Sequence, residues 1–213
     1  MQKCPILIFG GHPDDIEIGM GGTTRKLASA EREVITCIAT VPNQQTLRKK
    51  EAARAGAILG ASKVLFLSVP LKRFGFNRET IGAIDKLISK INPSAVFTHS
   101  LGDSHQDHLA LTNSMLSAAR RNDFSVFMYE QIIPGGITPV PFRPHLFVDI
   151  SAHIGDKIKA IEAHKSQIKK YGENWIESIR GRAVMRGAQI GTKYAEAFEV
   201  VKIRENDGLL EYL

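Results

Sequence analysis

Two short clusters hold most of the side chains in this chain that could do chemistry. The first is Gly11-His12-Pro13-Asp14-Asp15, directly after the apolar run Ile6-Leu7-Ile8-Phe9. The second is His105-Gln106-Asp107-His108, in the loop after a later apolar run, Ala95–Thr98. Imidazole nitrogens and carboxylate oxygens are zinc ligands, and three of them plus a water leave the open position that a catalytic zinc requires. The clusters contain more such groups than a metal needs. The remainder can move protons, and that surplus separates a catalytic site from a structural one.

Adjacent side chains diverge, so of Asp14 and Asp15 one can bind a metal while the other faces its water as a base. The spacing does not say which. His105 and His108 stand three apart at a helix start and can share a face. Asp107, between them, can hydrogen-bond one imidazole, fixing its tautomer and raising its pKa. A histidine held protonated beside the metal would stabilise an oxyanion and then protonate a leaving amine. Taken singly, Asp14 or Asp15 reads as a helix N-cap and each histidine as a loop residue. Their joint occurrence at two strand ends argues otherwise. His99 reads as structural, His164 as a satisfied core histidine, and His145 and His153 carry no signal.

The elements that must position these clusters alternate. Ile6–Phe9, Val34–Thr40, Val64–Leu67 and Ala95–Thr98 read as fully buried strands. Helical patterns lie between them, at about 16–30, 45–59 and 79–91, with Leu59-Gly60 and Asn92-Pro93 as stops. A helix over 109–121, strands at 126–129 and 146–150, and an amphipathic helix marked by Ile154, Ile158, Ile161 and Ile168 follow. The stretch 180–189 fits no element, and the proline- and glycine-rich stretch 130–145, with Pro134-Gly135-Gly136 and Pro139, reads as a loop over a substrate site. This rhythm predicts an α/β class: a Rossmann-like, mostly parallel sheet flanked by helices, in one domain over 1–213. In such a sheet ligands collect at the carboxyl ends of strands, which puts both clusters on one rim.

The chain has 213 residues, 43% of them hydrophobic, and a net charge of +6, which favours anionic partners. Its basic residues are scattered without interleaved aromatics, which argues against nucleic acid. Cys4 and Cys37 read as buried, reduced thiols. No apolar run is long enough to span a membrane and no leader pattern is evident, so the chain reads as cytoplasmic. A homo-oligomer is compatible with the sequence, which specifies no stoichiometry.

His12-Pro13-Asp14-Asp15, followed by Gly21-Gly22-Thr23, resembles the signature of the LmbE/PIG-L family of zinc-dependent N-deacetylases, and His105-x-Asp107-His108 resembles its second motif. Arg48-x-x-Glu51-Ala52, His164-x-Ser166-Gln167 and Gly191-x-Lys193-Tyr194-Ala195-Glu196 are similar to further family patterns. Two positions depart from many relatives: Gly11 stands where alanine is common, and Ile16 where glutamate often follows the aspartates. The resemblance implies His12, Asp15 and His108 as metal ligands, Asp14 as general base, His105 as oxyanion stabiliser and acid, and Asp107 as its orienting partner. Arg48 looks like a substrate-contacting arginine suited to phosphate or carboxylate.

The function so implied is removal of the acetyl group from an N-acetylated amino sugar, an anionic N-acetylglucosamine-type conjugate. Metal-bound water would be the nucleophile. The metal is zinc, although a His/Asp/His set accepts iron(II) as well. The rivals are a non-catalytic metal-binding protein and a nucleotide-binding Rossmann-like protein. Gly10-Gly11-His12-Pro13 lacks the Gly-x-Gly-x-x-Gly that the latter needs.

Overall fold

The apolar runs become strands of one seven-stranded sheet in the computed structural model, which describes residues 4–120, 122–131, 136–137, 140–204, 209 and 213. The strands are β1 (Ile6–Gly10), β2 (Val34–Ile38), β3 (Lys63–Phe66), β4 (Ala95–His99), β5 (Ser125–Tyr129), β6 (Leu146–Asp149) and β7 (Ala195–Lys202). Their order is β3-β2-β1-β4-β5-β7-β6. The first five pair in parallel, and β7 runs antiparallel to both β5 and β6. Winding reverses between β1 and β4, and the crevice at such a reversal is where an open α/β sheet binds ligands.

The helices are α1 (Asp15–Ser29), α2 (Gln45–Leu59), α3 (Arg78–Ile91), α4 (Gln106–Ala119), α5 (Ile154–Glu162), α6 (Lys165–Tyr171) and α7 (Glu173–Ala188). Side chains alternate across the sheet. Ile6 and Ile8 enter a core with Met20 and Leu27 of α1, Phe97, Phe127, Tyr129 and Phe198. Leu7 and Phe9 enter the opposite core, with Ile84 and Ile88 of α3 and Leu111 and Met115 of α4. Gly60 ends α2 in the left-handed conformation, at φ 78°, as its place after Leu59 predicts.

Several expectations need correction. β3 is not a fully buried strand: it is the sheet edge, with Lys63 exposed and the rest half-buried, because only β2 covers it. Cys4 is exposed, since it precedes β1, while Cys37 is buried and its thiol is pushed up to about 12 by burial. The single amphipathic helix through Ile168 is two, α5 and α6, broken at His164, whose ψ of 60° is not helical. The unplaced stretch 180–189 belongs to α7, whose buried face is Trp175, Ile179, Ala183 and Gly187 at four-residue spacing. Its pattern is obscured because Arg182 and Arg186 also reach inward, to the Glu130 carbonyl and carboxylate. β7 was not anticipated: its start is Ala195-Glu196-Ala197, small residues around a buried charge. Pro134, Gly135 and Pro139 of the expected loop, and Arg121, lie outside the described residues.

One irregularity bears on the site. α1 breaks at Met20 (φ −146°, ψ 28°), in the stretch that carries Gly19, Gly21 and Gly22. A side chain at Gly19 would overlap the buried Tyr129 ring, so glycine lets this half of α1 lie directly on the sheet. The break frees backbone groups that buried charges then satisfy. Glu196 accepts from Gly22 N (3.0 Å) and Thr23 N (2.6 Å). Lys157, itself paired with Glu196, donates to Ile18 O at 2.8 Å, and Arg182 donates to the same oxygen at 2.6 Å. A Lys–Glu pair from α5 and β7 thus staples the broken helix whose first residue is Asp15.

Candidate active site

The chain leaves β1 through Gly11-His12-Pro13 and enters α1 at Asp14, which occupies the N-cap position. Asp14 adopts a left-handed backbone (φ 112°, ψ −26°), yet its side chain makes no capping bond. Such a conformation costs a non-glycine residue about 1–3 kcal/mol and persists where the surroundings impose it, often at functional sites. Asp15 closes the turn instead, its Oδ2 accepting from His12 N at 2.6 Å. Its Oδ1 accepts from Gln131 Nε2 at 2.7 Å, and the helix N-terminus favours its charge.

The second cluster follows β4. His105 is the N-cap of α4, and its Nδ1 accepts from Asp107 N at 3.2 Å. With that nitrogen used as an acceptor, Nε2 carries the proton of the neutral ring. One turn later His108 projects back toward β1. Its Nε2 lies 3.1 Å from His12 Nδ1 and 3.0 Å from Asp15 Oδ2, and His12 Nδ1 is 3.4 Å from that same oxygen. Ligands about 2.0–2.1 Å from a tetrahedral zinc would be separated by about 3.3 Å. Two ring nitrogens 3.1 Å apart cannot both present protons to each other, whereas two lone pairs beside a carboxylate suit a shared cation. The donor set therefore fits a divalent metal.

The far nitrogens of both rings meet carboxylates. His108 Nδ1 is 2.7 Å from Asp103 Oδ2, and His12 Nε2 is 3.0 Å from Asp107 Oδ2. Each pair holds a proton on the outer nitrogen and leaves the inner one as a lone-pair donor, the arrangement that orients metal-binding histidines. The side-chain contact expected between Asp107 and His105 is not formed: Asp107 turns to His12, because α4 carries it to the side of the loop that faces β1. Asp103 was missed in the sequence. Its signal was proximity, five residues before His108 in the same loop.

His99 and His105 can be grouped with the same donors, as His12/His105/His108 and Asp15/His99/His108. His99 Nε2, however, accepts from Gly11 N at 2.9 Å, so its lone pair is engaged. Its ring stacks on His108 at 3.8 Å, and burial lowers its pKa to about 4. It is a neutral prop, in keeping with a structural role.

Charge is unevenly divided. Burial opposes a proton on His12, but Asp107 and Asp15 outweigh it and push the metal-free imidazole up to about 9, so a bound cation takes the place of the proton on its inner nitrogen. Burial likewise opposes His108, and Asp15 and Asp103 raise it to about 10. Burial would raise Asp15, yet the charge of His108 and hydrogen bonds from His108 and His12 hold it well below the usual carboxylate range. Asp14 is pushed up to about 7 by burial and by the Asp15 charge. Two neighbouring carboxylates in one pocket are thereby driven apart, one a permanent anion and the other poised to exchange a proton. His105, half-buried, is lowered by burial and by the neighbouring imidazoles, against the expectation of a ring held protonated, because the Asp107 carboxylate lies on His12 instead.

Asp14, His12, Asp15, His105 and His108 line one cavity of about 850 Å³. Arg48 stands on its wall, and its Nη2 donates to Pro13 O at 2.8 Å and lies 3.4 Å from Asp14 Oδ1. Its Nε has no partner among the described residues. Glu51, one turn on, accepts from Ser166 N (2.9 Å) and Oγ (2.6 Å) and so joins α2 to α6. His164 is fully buried with Nε2 3.5 Å from Glu17 Oε2, and neither ring nitrogen makes a hydrogen bond among the described residues. It is buried as expected, but not satisfied.

The family model described as "PIG-L: GlcNAc-PI de-N-acetylase" matches residues 7–119, which contain both clusters and over half of the chain. The chain belongs to the PIG-L/LmbE family. Among PIG-L/LmbE relatives, a diacetylchitobiose deacetylase of Thermococcus kodakarensis is 28% identical, the match covering 92% of this chain and 82% of that protein. The structure of an N,N'-diacetylchitobiose deacetylase from Pyrococcus horikoshii superposes with a TM-score of 0.75 at 25% identity, covering 99% of this chain and 86% of that one. GalB, a 4-carboxy-2-hydroxymuconate hydratase from Pseudomonas putida KT2440, has a TM-score of 0.77 at 20% identity, covering 94% and 97%. The fold thus serves a hydratase as well, so in a PIG-L/LmbE chain the reaction must be argued from the site.

Proposed function

We propose that this protein is a metal-dependent hydrolase that removes the acetyl group from an N-acetylated amino sugar, an N-acetylglucosamine-type conjugate bearing an anionic group. One observation carries the reading. A carboxylate released from capping, Asp14, shares a cavity with the three converging donor atoms of His12, Asp15 and His108. The metal is zinc, with iron(II) as the alternative for the same ligands.

A divalent cation on those ligands supplies Lewis acidity, polarising the acetamide carbonyl and acidifying water beside it. Asp14 takes the proton of the attacking water on its carboxylate, which Arg48 holds in place. Arg48 also presents the remainder of its guanidinium to the substrate. His105 donates a hydrogen bond from Nε2 to the carbonyl oxygen as negative charge grows there, and the proton that Asp14 took from the water passes to the departing nitrogen. Asp107 steadies this corner twice, by its N–H on His105 and its carboxylate on His12. The C–N bond breaks, the water oxygen stays with the acetyl carbon, and acetate and a free amine leave.

The domain spans 1–213. Cys4 and Cys37 are free thiols and no helix among the described residues is long and apolar enough to cross a membrane, which suits the cytoplasm.

The protein loaded with zinc is expected to release acetate from at least one N-acetylglucosamine conjugate, to lose that activity on removal of the metal, and to regain it with zinc or iron(II). Acetate release that persists in metal-free protein would overturn the reading. Asp103→Asn is expected to weaken metal affinity about 10–100-fold, measured by competition with a chromophoric chelator. Unchanged affinity would limit Asp103 to holding the loop.

A further inference from the structure

The cavity is larger than the chemistry needs. At about 850 Å³ it lies in the upper part of the range for pockets that enclose drug-sized ligands, about 300–1,000 Å³. Only one end is occupied by the histidines and aspartates. The other end is walled by α6, the start of α7 and the outer side of α2.

That distal wall is predominantly basic. Lys165, Lys169 and Lys170 of α6 and Arg54 of α2 line it, and all four are exposed. Lys170 is engaged with the Tyr171 hydroxyl at 2.8 Å. Arg54, Lys165 and Lys169 have no ion-pair partner among the described residues. Of the three carboxylates in the cavity lining, Asp14 and Asp15 belong to the histidine end, and Glu51 accepts from Ser166 and forms no ion pair with Arg54, Lys165 or Lys169. Among the described residues no carboxylate pairs with these lysines. Beside them stand Tyr171 and Trp175, with ring centroids 5.2 Å apart, and the buried indole N–H of Trp175 finds no acceptor among the described residues. Cations without partners and an aromatic surface, lining one cavity, are the complement of an oxyanion on an organic body.

We propose that Lys165 and Lys169, with Arg54 behind them, form a specificity subsite for a phosphate or carboxylate on the substituent at the anomeric carbon of the amino sugar. The acetamide lies at the histidine end. The inference rests on the deacetylase reading for the identity of the sugar, and supplies what that reading lacks, the residues that choose the aglycone. Lysine ammonium groups on a mobile stem act as point charges, so the subsite selects charge more than shape. Its effect weakens as salt rises, since the screening length is about 10 Å at 0.1 M.

The test compares kcat/KM for acetate release from N-acetylglucosamine 1-phosphate, the carboxymethyl glycoside of N-acetylglucosamine and its neutral methyl glycoside. Proteins are the wild type, K165A/K169A and K86A/K90A. The last pair removes equal charge from the exposed face of α3, outside the cavity. The wild type is expected to prefer an anionic substrate about tenfold or more, the phosphate and carboxylate arms telling the two groups apart. That ratio is expected to fall about tenfold in K165A/K169A, through KM, and to persist in K86A/K90A. Equal turnover of anionic and neutral substrates overturns the subsite and leaves the deacetylase standing, as does an equal fall in both variants. If no substrate releases acetate, the deacetylase reading fails, and calorimetry with glucosamine 1-phosphate and methyl glucosaminide decides the subsite alone. Phosphate-dependent binding lost in K165A/K169A keeps it, and indifferent binding removes it.

Discussion

Asp14→Asn is expected to slow acetate release about 10²–10⁴-fold while the protein keeps its metal. The substitution preserves size and, because asparagine tolerates the left-handed region, also the φ of 112° that the turn imposes. What it removes is the ability to accept a proton, and general base catalysis is worth a factor of that order. Asp14→Ala removes the proton acceptor as well, and adds backbone strain because alanine resists positive φ. Metal content measured on the same preparations separates loss of the base from loss of a ligand. Turnover of Asp14→Asn within a few-fold of wild type would sink the mechanism. Asp14→Asn that loses the metal would instead make Asp14 a ligand.

Glu196→Ala is expected to destabilise the protein by about 3–5 kcal/mol, read by denaturant unfolding, because it strands a buried ammonium. Lys157 sits fully buried at the break in α1, where burial already lowers its pKa against the pull of Glu196. Removing the carboxylate also orphans Gly22 N and Thr23 N. Replacing both partners, as K157M/E196L, is expected to cost less than Glu196→Ala alone, since no unpaired charge is left behind. A Glu196→Ala protein within about 1 kcal/mol of wild type would mean that water reaches the break and that the pair does not staple it. Because α1 begins at Asp15, the less stable variant is also expected to bind metal less tightly.

Much of this architecture was legible. Strand–helix alternation predicted the parallel half of the sheet, and Ile6–Gly10, Ala95–His99 and Gln45–Leu59 fall where their patterns place them. The edge character of β3 was not legible, because four β-forming residues look alike in the middle and at the margin of a sheet. Nor was β7, where Glu196 interrupts the apolar pattern because it serves a helix break contributed by residues 18–23. The division of α5 from α6 depends on Glu51, more than a hundred positions from Ser166 along the chain.

The sequence alone determined the chemistry available and the rim on which it would gather. His12, Asp14, Asp15, His105, Asp107 and His108 follow two strands, and parallel strands deliver their carboxyl ends to one side. Tertiary structure decided how those side chains are paired. It put Asp103 on His108 and Asp107 on His12, turned Asp14 away from capping, and opened the cavity toward the lysines of α6. The physical reason is range. Residue types and local periodicity specify what a segment can become, whereas a 3 Å contact between groups ninety-five or more residues apart depends on strand order and register. Those are set by the packing of the whole chain.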